Sequence, residues 1–182
     1  MPRIAVVDTA RADAGVLATL AAVKAKIGMT PNLFSTFAQS PAALNGYVAF
    51  SDALAKGALS ARQREIVALT VAQANGCEYC LAAHSLMGKG AGLTPDGLRK
   101  ARQGTADDAT DAAIARFARR VLEAKGQVAD ADITAARSAG LDEGRLIEII
   151  ANVAINVLTN YTNNVAQTVI DFPKVDLALQ PA

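Results

Sequence analysis

The 182-residue sequence predicts an all-α protein, and three features favour that class. Hydrophobic residues make up 52% of the chain, mostly alanine and aliphatic residues, whereas aromatic residues contribute only 4%. Alanine is the best helix former and a poor strand former, so this composition suits closely packed helices. Helix start and stop signals recur along the chain, and the one β-rich run, "PRIAVV", is too short to build a sheet alone. We expect one all-helical domain over residues 1–182.

Two helices with clear caps are predicted in the first half of the chain. The segment "SPAALNGYVAFSDALAKG" has Ser40 as its N-cap, a proline at the first helical position and Gly57 as its stop. The segment "SARQREIVALTVAQANG" opens with Ser60 and Gln63, which form a capping-box pair, and ends at residues 75–76. These signals predict a helix, a short connection and a second helix.

Four further helices are predicted after the cysteine-containing segment. "TPDGLRKARQG" has a Thr-Pro start at Thr94 and a glycine stop at Gly104, and "DADITAARSAG" predicts another short helix. "DEGRLIEIIANVAINVLTNYTNNVAQTVIDF" predicts a long apolar helix. The segment "DDATDAAIARFARRVLEAKG" predicts an amphipathic helix whose arginines lie largely opposite its apolar face, formed by Ile114, Phe117, Val121 and Leu122.

A shift of 83 positions aligns residues 57–84 with residues 140–167. The alignment predicts a duplicated helical unit whose degenerate second copy spans about 140–170, with the catalytic motif in the first copy at 60–90. The alternative is a chance match of two apolar helices with similar caps. Residues that align are Gly57 with Gly140, Glu65 with Glu148, Cys77 with Asn160, Cys80 with Asn163 and His84 with Gln167.

The stretch "NGCEYCLAAH" contains both cysteines and the only histidine of the chain within eight positions. We expect a new helix from Cys77 to Gly88, with Cys77 in its first turn, where the helix dipole favours a thiolate. Cys80 and His84 then lie on one helical face, so the imidazole can take the Cys80 proton or hold its charge. This spacing indicates Cys80 as the attacking sulfur and Cys77 as its resolving partner.

Glu65 is the fourth candidate site residue. In one straight helix it would lie about 18 Å of axial rise from Cys77, but a break at residues 75–76 lets the chain fold back towards His84. A carboxylate beside an imidazole orients the ring and raises its basicity. Tyr79, between the cysteines, is an accessory candidate that donates a hydrogen bond or covers the site. The alternatives are a cysteine pair buried as small hydrophobes, a solvated Glu65, a packing tyrosine and asparagines at 156–164 that satisfy the backbone.

The charge and hydropathy of the chain exclude several partners. A formal net charge of +1 gives no sign of the excess positive charge that binding to nucleic acid or an anionic membrane would require. No segment reaches the roughly 18 uninterrupted apolar residues of a membrane span, and no signal peptide is recognised, so we expect a cytoplasmic protein. Two thiols and one imidazole supply three zinc ligands where a structural site needs four. Zinc completed by Glu65 or another subunit stays an alternative.

The pattern of Glu65 followed twelve positions later by "CEYCLAAH" resembles the alkylhydroperoxidase D group of the carboxymuconolactone decarboxylase superfamily. The resemblance covers roughly residues 30–173, and the segments "PNLFSTFAQSPAALNGYVAFSDAL" and "NYTNNVAQTVIDFP" are similar to its peroxidase-related branch. It implies that family's helical fold, a homo-oligomer (a trimer or a hexamer), and peroxidase chemistry without metal, haem or flavin. By position, Cys80 is then the peroxidatic cysteine, Cys77 resolves it into a disulfide, and His84 and Glu65 relay the proton.

One residue departs from that family pattern: Tyr79 stands where alkylhydroperoxidase D has a histidine. The leading hypothesis is a thiol peroxidase that reduces an organic hydroperoxide and is re-reduced by an external dithiol, either a small molecule or a protein. One alternative is a non-catalytic redox sensor or binding module. Another is a lyase-like or decarboxylase-like enzyme that uses Glu65 and His84.

Overall fold

Helices form nearly all of the regular structure in the computed structural model, which describes residues 1–179. Within that range there are nine α-helices and no β-strand, so the all-α prediction is confirmed. The predicted domain of residues 1–182 extends three residues beyond the described part. The helices are α1 (Ala14–Ile27), α2 (Asn32–Phe37), α3 (Pro41–Leu54), α4 (Ala61–Ala74), α5 (Glu78–Gly90), α6 (Pro95–Arg102), α7 (Ala109–Glu123), α8 (Asp130–Ser138) and α9 (Glu143–Ala166).

The predicted helix starts are confirmed by cap geometry. Ser40 accepts a hydrogen bond from the backbone N–H of Ala43, and Thr94 accepts one from Gly97. Ser60 and Gln63 form the predicted capping box at the start of α4. These caps satisfy N–H groups that have no partner inside the helix, which fixes where each helix begins.

Two predicted helix ends differ from the structure. Helix α3 ends at Leu54 rather than at Gly57, because the chain there turns to bring residues 57–59 against the carboxylate of Glu148. Helix α9 ends at Ala166, where Gln167 adopts the left-handed conformation with φ of 49°, so the predicted helical segment beyond it is not helical. The sequence patterns singled out neither α1 nor α2.

The middle of helix α4 is buried on all sides, and four other helices pack around it. Every residue from 66 to 72 is buried, and α4 packs against α5, α6, α7 and α9. Ile66 and Leu69 belong to a core cluster shared with α1, α2, α3 and α5, while Val67 and Val71 belong to a second cluster shared with α7 and α9. Because one helix supplies both clusters, we propose that the described chain is one domain.

The segments outside the helices are held against the helix bundle. The N–H of Arg3 donates to the carbonyl of Ala166 at 2.7 Å, so the β-rich N-terminal run packs as extended chain without forming a strand. After α9, the carbonyl of Leu177 accepts hydrogen bonds from Gln73 and Arg102, each at 3.0 Å. Among residues 1–179, no helix has the length and apolarity needed to cross a lipid bilayer.

The two proposed repeat copies differ in their helices. The first copy consists of α4 and α5 with a break between them, whereas the second is occupied mainly by the single uninterrupted helix α9. Gly76 has φ of 61° in the first copy, while the aligned residue Thr159 lies inside α9. The internal duplication stays a prediction.

Candidate active site

A glycine turn between α4 and α5 folds the chain back on itself. Asn75 is the C-cap of α4, and Gly76 follows in the left-handed conformation, with φ of 61°. The N–H of Gly76 donates to the carbonyl of Gln73 at 3.2 Å and that of Cys77 to Ala72 at 2.9 Å. This pair of bonds is a Schellman motif, which requires a residue that tolerates positive φ after the cap. The turn makes α4 and α5 direct neighbours.

Both cysteines lie at the N-terminal end of α5 and are joined by a disulfide. Their Cα atoms are 5.3 Å apart. Cys77 is 0% exposed and Cys80 is 2% exposed. Cys77 is the N-cap of α5, one position before the predicted first turn, and its Sγ accepts a hydrogen bond from the N–H of Cys80 at 3.2 Å. The predicted and observed helix starts differ by one residue because the backbone of Cys77 is extended rather than helical.

The predicted approach of Glu65 to His84 is confirmed. The Glu65 Oε2 lies 2.8 Å from the His84 Nδ1, and the side chains are 16% and 19% exposed respectively. When Nδ1 carries the proton of this bond, Nε2 is the nitrogen available to accept another proton. Glu65 thereby fixes both the orientation and the tautomer of the ring.

His84 and Cys80 are neighbours along α5 but are not hydrogen-bonded in this oxidised state. They are four residues apart, which places them on one face of the helix. Among the hydrogen bonds of residues 1–179, none joins the imidazole to either sulfur. The site therefore consists of two contacting pairs, Glu65 with His84 and Cys77 with Cys80. The pairs are linked by the one helical turn of α5 between Cys80 and His84.

A cavity of about 210 Å³ opens onto the carboxylate–imidazole pair. Neither cysteine lines it. The polar part of the wall comes from α3, α4 and α9 and includes Tyr47, Ser51, Arg64, Asn152, Asn156 and Thr159.

Tyr47 is a cavity residue that the sequence analysis did not single out. Burial, together with the nearby negative charge of Glu65, raises the pKa of Tyr47 to about 12. Its hydroxyl therefore stays protonated at neutral pH and can donate a hydrogen bond into the cavity. The ring is held by stacking on Phe37, with 5.2 Å between centroids. No local sequence signal marks it, because its contact with Glu65 depends on the packing of α3.

The asparagines of α9 divide into two groups. Asn156 donates to the backbone carbonyl one turn earlier, as the alternative interpretation predicted. Asn152, which the sequence patterns did not single out, does the same. By contrast, the Nδ2 of Asn163 lies 3.3 Å from the Sγ of Cys80, and Asn160 accepts a hydrogen bond from Asn75 at 3.0 Å. The second group thus contacts the cysteine-bearing turn. Asn163 is a contact that the sequence analysis missed, although the repeat alignment had paired it with Cys80.

A model of the carboxymuconolactone decarboxylase family matches residues 41–124, from the start of α3 to the end of α7. The crystal structure of an alkylhydroperoxidase AhpD core, an uncharacterized peroxidase-related protein from Ralstonia eutropha JMP134, is 27% identical to this chain. The similarity covers 93% of this chain and 92% of that one, with a TM-score of 0.84. These two matches support a place for the chain in the alkylhydroperoxidase D-like branch of the carboxymuconolactone decarboxylase superfamily.

Two solved structures with lower sequence identity share the fold. An uncharacterized peroxidase-related protein from Silicibacter sp. TM1040 is 22% identical over 92% of this chain and 89% of that one, with a TM-score of 0.80. The debrominase Bmp8, solved in complex with 2,3,4-tribromopyrrole, is 17% identical over 93% of this chain and 91% of that one, with a TM-score of 0.78. No curated protein sequence matches the chain significantly.

Tyr79, at the position where alkylhydroperoxidase D has a histidine, is a buried packing residue in this chain. Its hydroxyl accepts a hydrogen bond from the N–H of Leu33 at 3.2 Å, and its ring meets that of Phe172 edge-on at 5.6 Å. Burial, assisted by the nearby Asp171 carboxylate, raises the pKa of Tyr79 above its ordinary value. The phenol is therefore unsuited to exchange protons near neutral pH, and its contacts anchor α5 against α2 and the C-terminal segment.

Proposed function

We propose that this protein is a thiol peroxidase that reduces organic hydroperoxides through a cycle of the Cys77–Cys80 pair. The observation that carries the proposal is a cysteine pair at a helix N-terminus, one turn from an imidazole held by a carboxylate. The similarity to an alkylhydroperoxidase AhpD core supports peroxidase-type chemistry. Cys80 is the proposed nucleophile because it is the cysteine that shares a helical face with His84.

In the first step, the Cys80 thiolate attacks the outer oxygen of the hydroperoxide and the O–O bond breaks. The sulfur gains that oxygen and becomes a sulfenic acid, while the alkoxide leaves and takes a proton to become the alcohol. In the second step, the thiolate of Cys77 attacks the sulfenic sulfur, forming the disulfide and releasing water after protonation. An external dithiol then reduces the disulfide and is itself oxidised to a disulfide, so one hydroperoxide consumes one dithiol.

His84 and Glu65 are proposed to move the protons of these steps. The imidazole takes the proton of the Cys80 thiol and returns it to the leaving alkoxide, and Glu65 stabilises the imidazolium in between. The cavity of about 210 Å³ opens onto this pair, so the pair can exchange protons with a small organic molecule bound there. We propose a cytoplasmic setting, since the cycle requires a reducing dithiol pool.

Steady-state turnover tests the proposal. Reduced protein is mixed with cumene hydroperoxide and excess dihydrolipoamide, and both the alcohol and the oxidised dithiol are quantified. We expect sustained turnover with equal amounts of the two products, abolished in Cys80→Ser and in Cys77→Ser. A single stoichiometric burst without turnover would instead favour the redox-sensor alternative, and unchanged thiols would refute a peroxidase.

A second candidate is acid–base chemistry at Glu65 and His84 without the cysteines, as in a lyase. The observation that favours it is the cavity itself, which is lined by both members of the pair but by neither sulfur. This candidate predicts turnover of a lactone or keto acid that survives in the Cys77→Ser, Cys80→Ser double variant. Loss of that turnover in the double variant would show that the reaction requires the cysteines and would refute this candidate.

We also propose that the protein forms a homo-oligomer through α9. The helix carries apolar side chains at alternating spacings of four and three residues from position 147 to 165, all exposed except the half-buried Ala151, a pattern typical of a helix seam. Because the same pattern is present on every copy, the occupant we propose for this face is a second copy of the chain. The residues are Ile147, Ala151, Ala154, Leu158, Tyr161 and Val165.

A further inference from the structure

We propose that Asn163 is a catalytic residue whose side-chain N–H stabilises the thiolate of Cys80. The inference deepens the proposed function and rests on it for the identity of the reacting sulfur. It assigns to α9, 83 residues away in sequence, a direct contact with the chemistry of α5.

The contact is a buried and directional one. Asn163 is 3% exposed, and its Nδ2 lies 3.3 Å from the Sγ of Cys80, within the normal range for a hydrogen bond to sulfur. A disulfide sulfur carries no hydrogen, so only the NH₂ end of the amide makes a favourable contact with it. The same N–H group meets a much better acceptor when the sulfur is a thiolate, because bonds to charged acceptors are about twice as strong.

The other end of the amide has no partner. The Oδ1 of Asn163 is buried without a hydrogen-bond partner among the described residues. A buried carbonyl oxygen without a donor is rare and costly. Among the described residues, the contact with the Cys80 sulfur is therefore the one hydrogen bond that the side-chain amide makes.

The two sulfurs are stabilised by different groups, which makes the effect specific to Cys80. The Sγ of Cys77 accepts a backbone N–H as the N-cap of α5 and has no contact with Asn163 among the described hydrogen bonds. The charges of Glu65 and His84 are unchanged when Asn163 is substituted. A loss of the Cys80 thiolate in an Asn163 variant is therefore assignable to the amide itself.

The experiment measures the thiolate directly in the absence of peroxide. In a Cys77→Ser background, which keeps a good N-cap residue, Cys80 is the only thiol and its ionisation is followed by ultraviolet absorbance against pH. We expect Asn163→Leu to lower the thiolate-to-thiol ratio at a given pH by about tenfold to a hundredfold. Asn163→Asp, nearly isosteric, should lower it further because a carboxylate repels the thiolate.

A second readout uses both cysteines. The equilibrium between the dithiol and the disulfide in glutathione buffers should shift towards the disulfide by about tenfold in Asn163→Leu, equivalent to about 30 mV. Asn164→Ala is the matched control, because the neighbouring amide donates to the backbone carbonyl of Asn75 rather than to sulfur. It should change either readout by less than about twofold.

The outcomes separate this inference from the proposed function. Ionisation of Cys80 within about twofold of the reference in both Asn163 variants overturns the inference, even when the wild-type protein turns over hydroperoxide. A large shift without peroxide turnover in the wild type leaves the inference standing and refutes the peroxidase. Should Asn163→Leu fail to fold, Asn163→Ala carries the test, because it removes the amide without adding a charge.

Discussion

Removing the negative charge of Glu65 while keeping its shape tests the proposed proton relay. In Glu65→Gln, the amide still reaches the His84 Nδ1 across the observed 2.8 Å but no longer stabilises an imidazolium. A hydrogen bond to a charged group contributes about 1.5–3 kcal/mol, and about 1.4 kcal/mol corresponds to a tenfold change in rate. Because the pair is mostly shielded from water, we expect kcat/KM for cumene hydroperoxide to fall by about tenfold to a hundredfold.

The assay and its control separate a lost charge from a damaged fold. Initial rates are measured with saturating dihydrolipoamide, and folding is checked by circular dichroism and thermal unfolding. Glu148→Gln is the control: Glu148 aligns with Glu65 in the proposed repeat, but it accepts the N–H groups of Ala58 and Leu59 at 2.8 and 3.1 Å. It should lower stability and leave kcat/KM unchanged. A fall of less than about threefold in folded Glu65→Gln, or an equal fall in the control, would refute the reasoning.

Three further predictions concern stability and assembly. Gly57→Ala should lower the free energy of unfolding by about 1–3 kcal/mol, because the added Cβ would come 2.5 Å from the Glu148 carboxylate. Gly46→Ala should raise the free energy of unfolding by about 0.5–1 kcal/mol, because Gly46 lies inside α3 with open space around it. Gln167→Gly should raise it by about 1 kcal/mol in urea unfolding, since φ is 49° there; no gain would contradict this. Leu158→Asp should reduce the oligomer mass measured by light scattering, and an unchanged mass would exclude this face as the interface.

Local signals explain why the caps around the site were predictable. Ser60 with Gln63 at the start of α4 and Gly76 at its end act within a few residues, so the sequence alone determines them. The approach of Glu65 to His84 followed from that turn, because a helix hairpin brings the two helix faces together. Cys77 as N-cap was missed by one position, since the cysteine is an uncommon capping residue and carries little capping signal.

Long-range packing explains what the sequence did not predict. Tyr47 shares the cavity with Glu65 only because α3 packs against α9, and nothing near position 47 indicates that arrangement. Asn163 reaches Cys80 from a helix 83 residues later. The left-handed Gln167 ends α9 without a glycine, so the helix was predicted too long. Each of these depends on tertiary structure rather than on a neighbouring residue.

In the proposed mechanism a hydroperoxide oxidises the sulfur of Cys80 and not that of Cys77. Trapping the sulfenic acid identifies the oxidised sulfur. Reduced Cys77→Ser and Cys80→Ser proteins are each treated with one equivalent of cumene hydroperoxide in the presence of dimedone, and the adduct is located by mass spectrometry of peptides. The account predicts a dimedone adduct on Cys80 in Cys77→Ser and none in Cys80→Ser. An adduct on Cys77 alone, or no adduct in either variant, would contradict it.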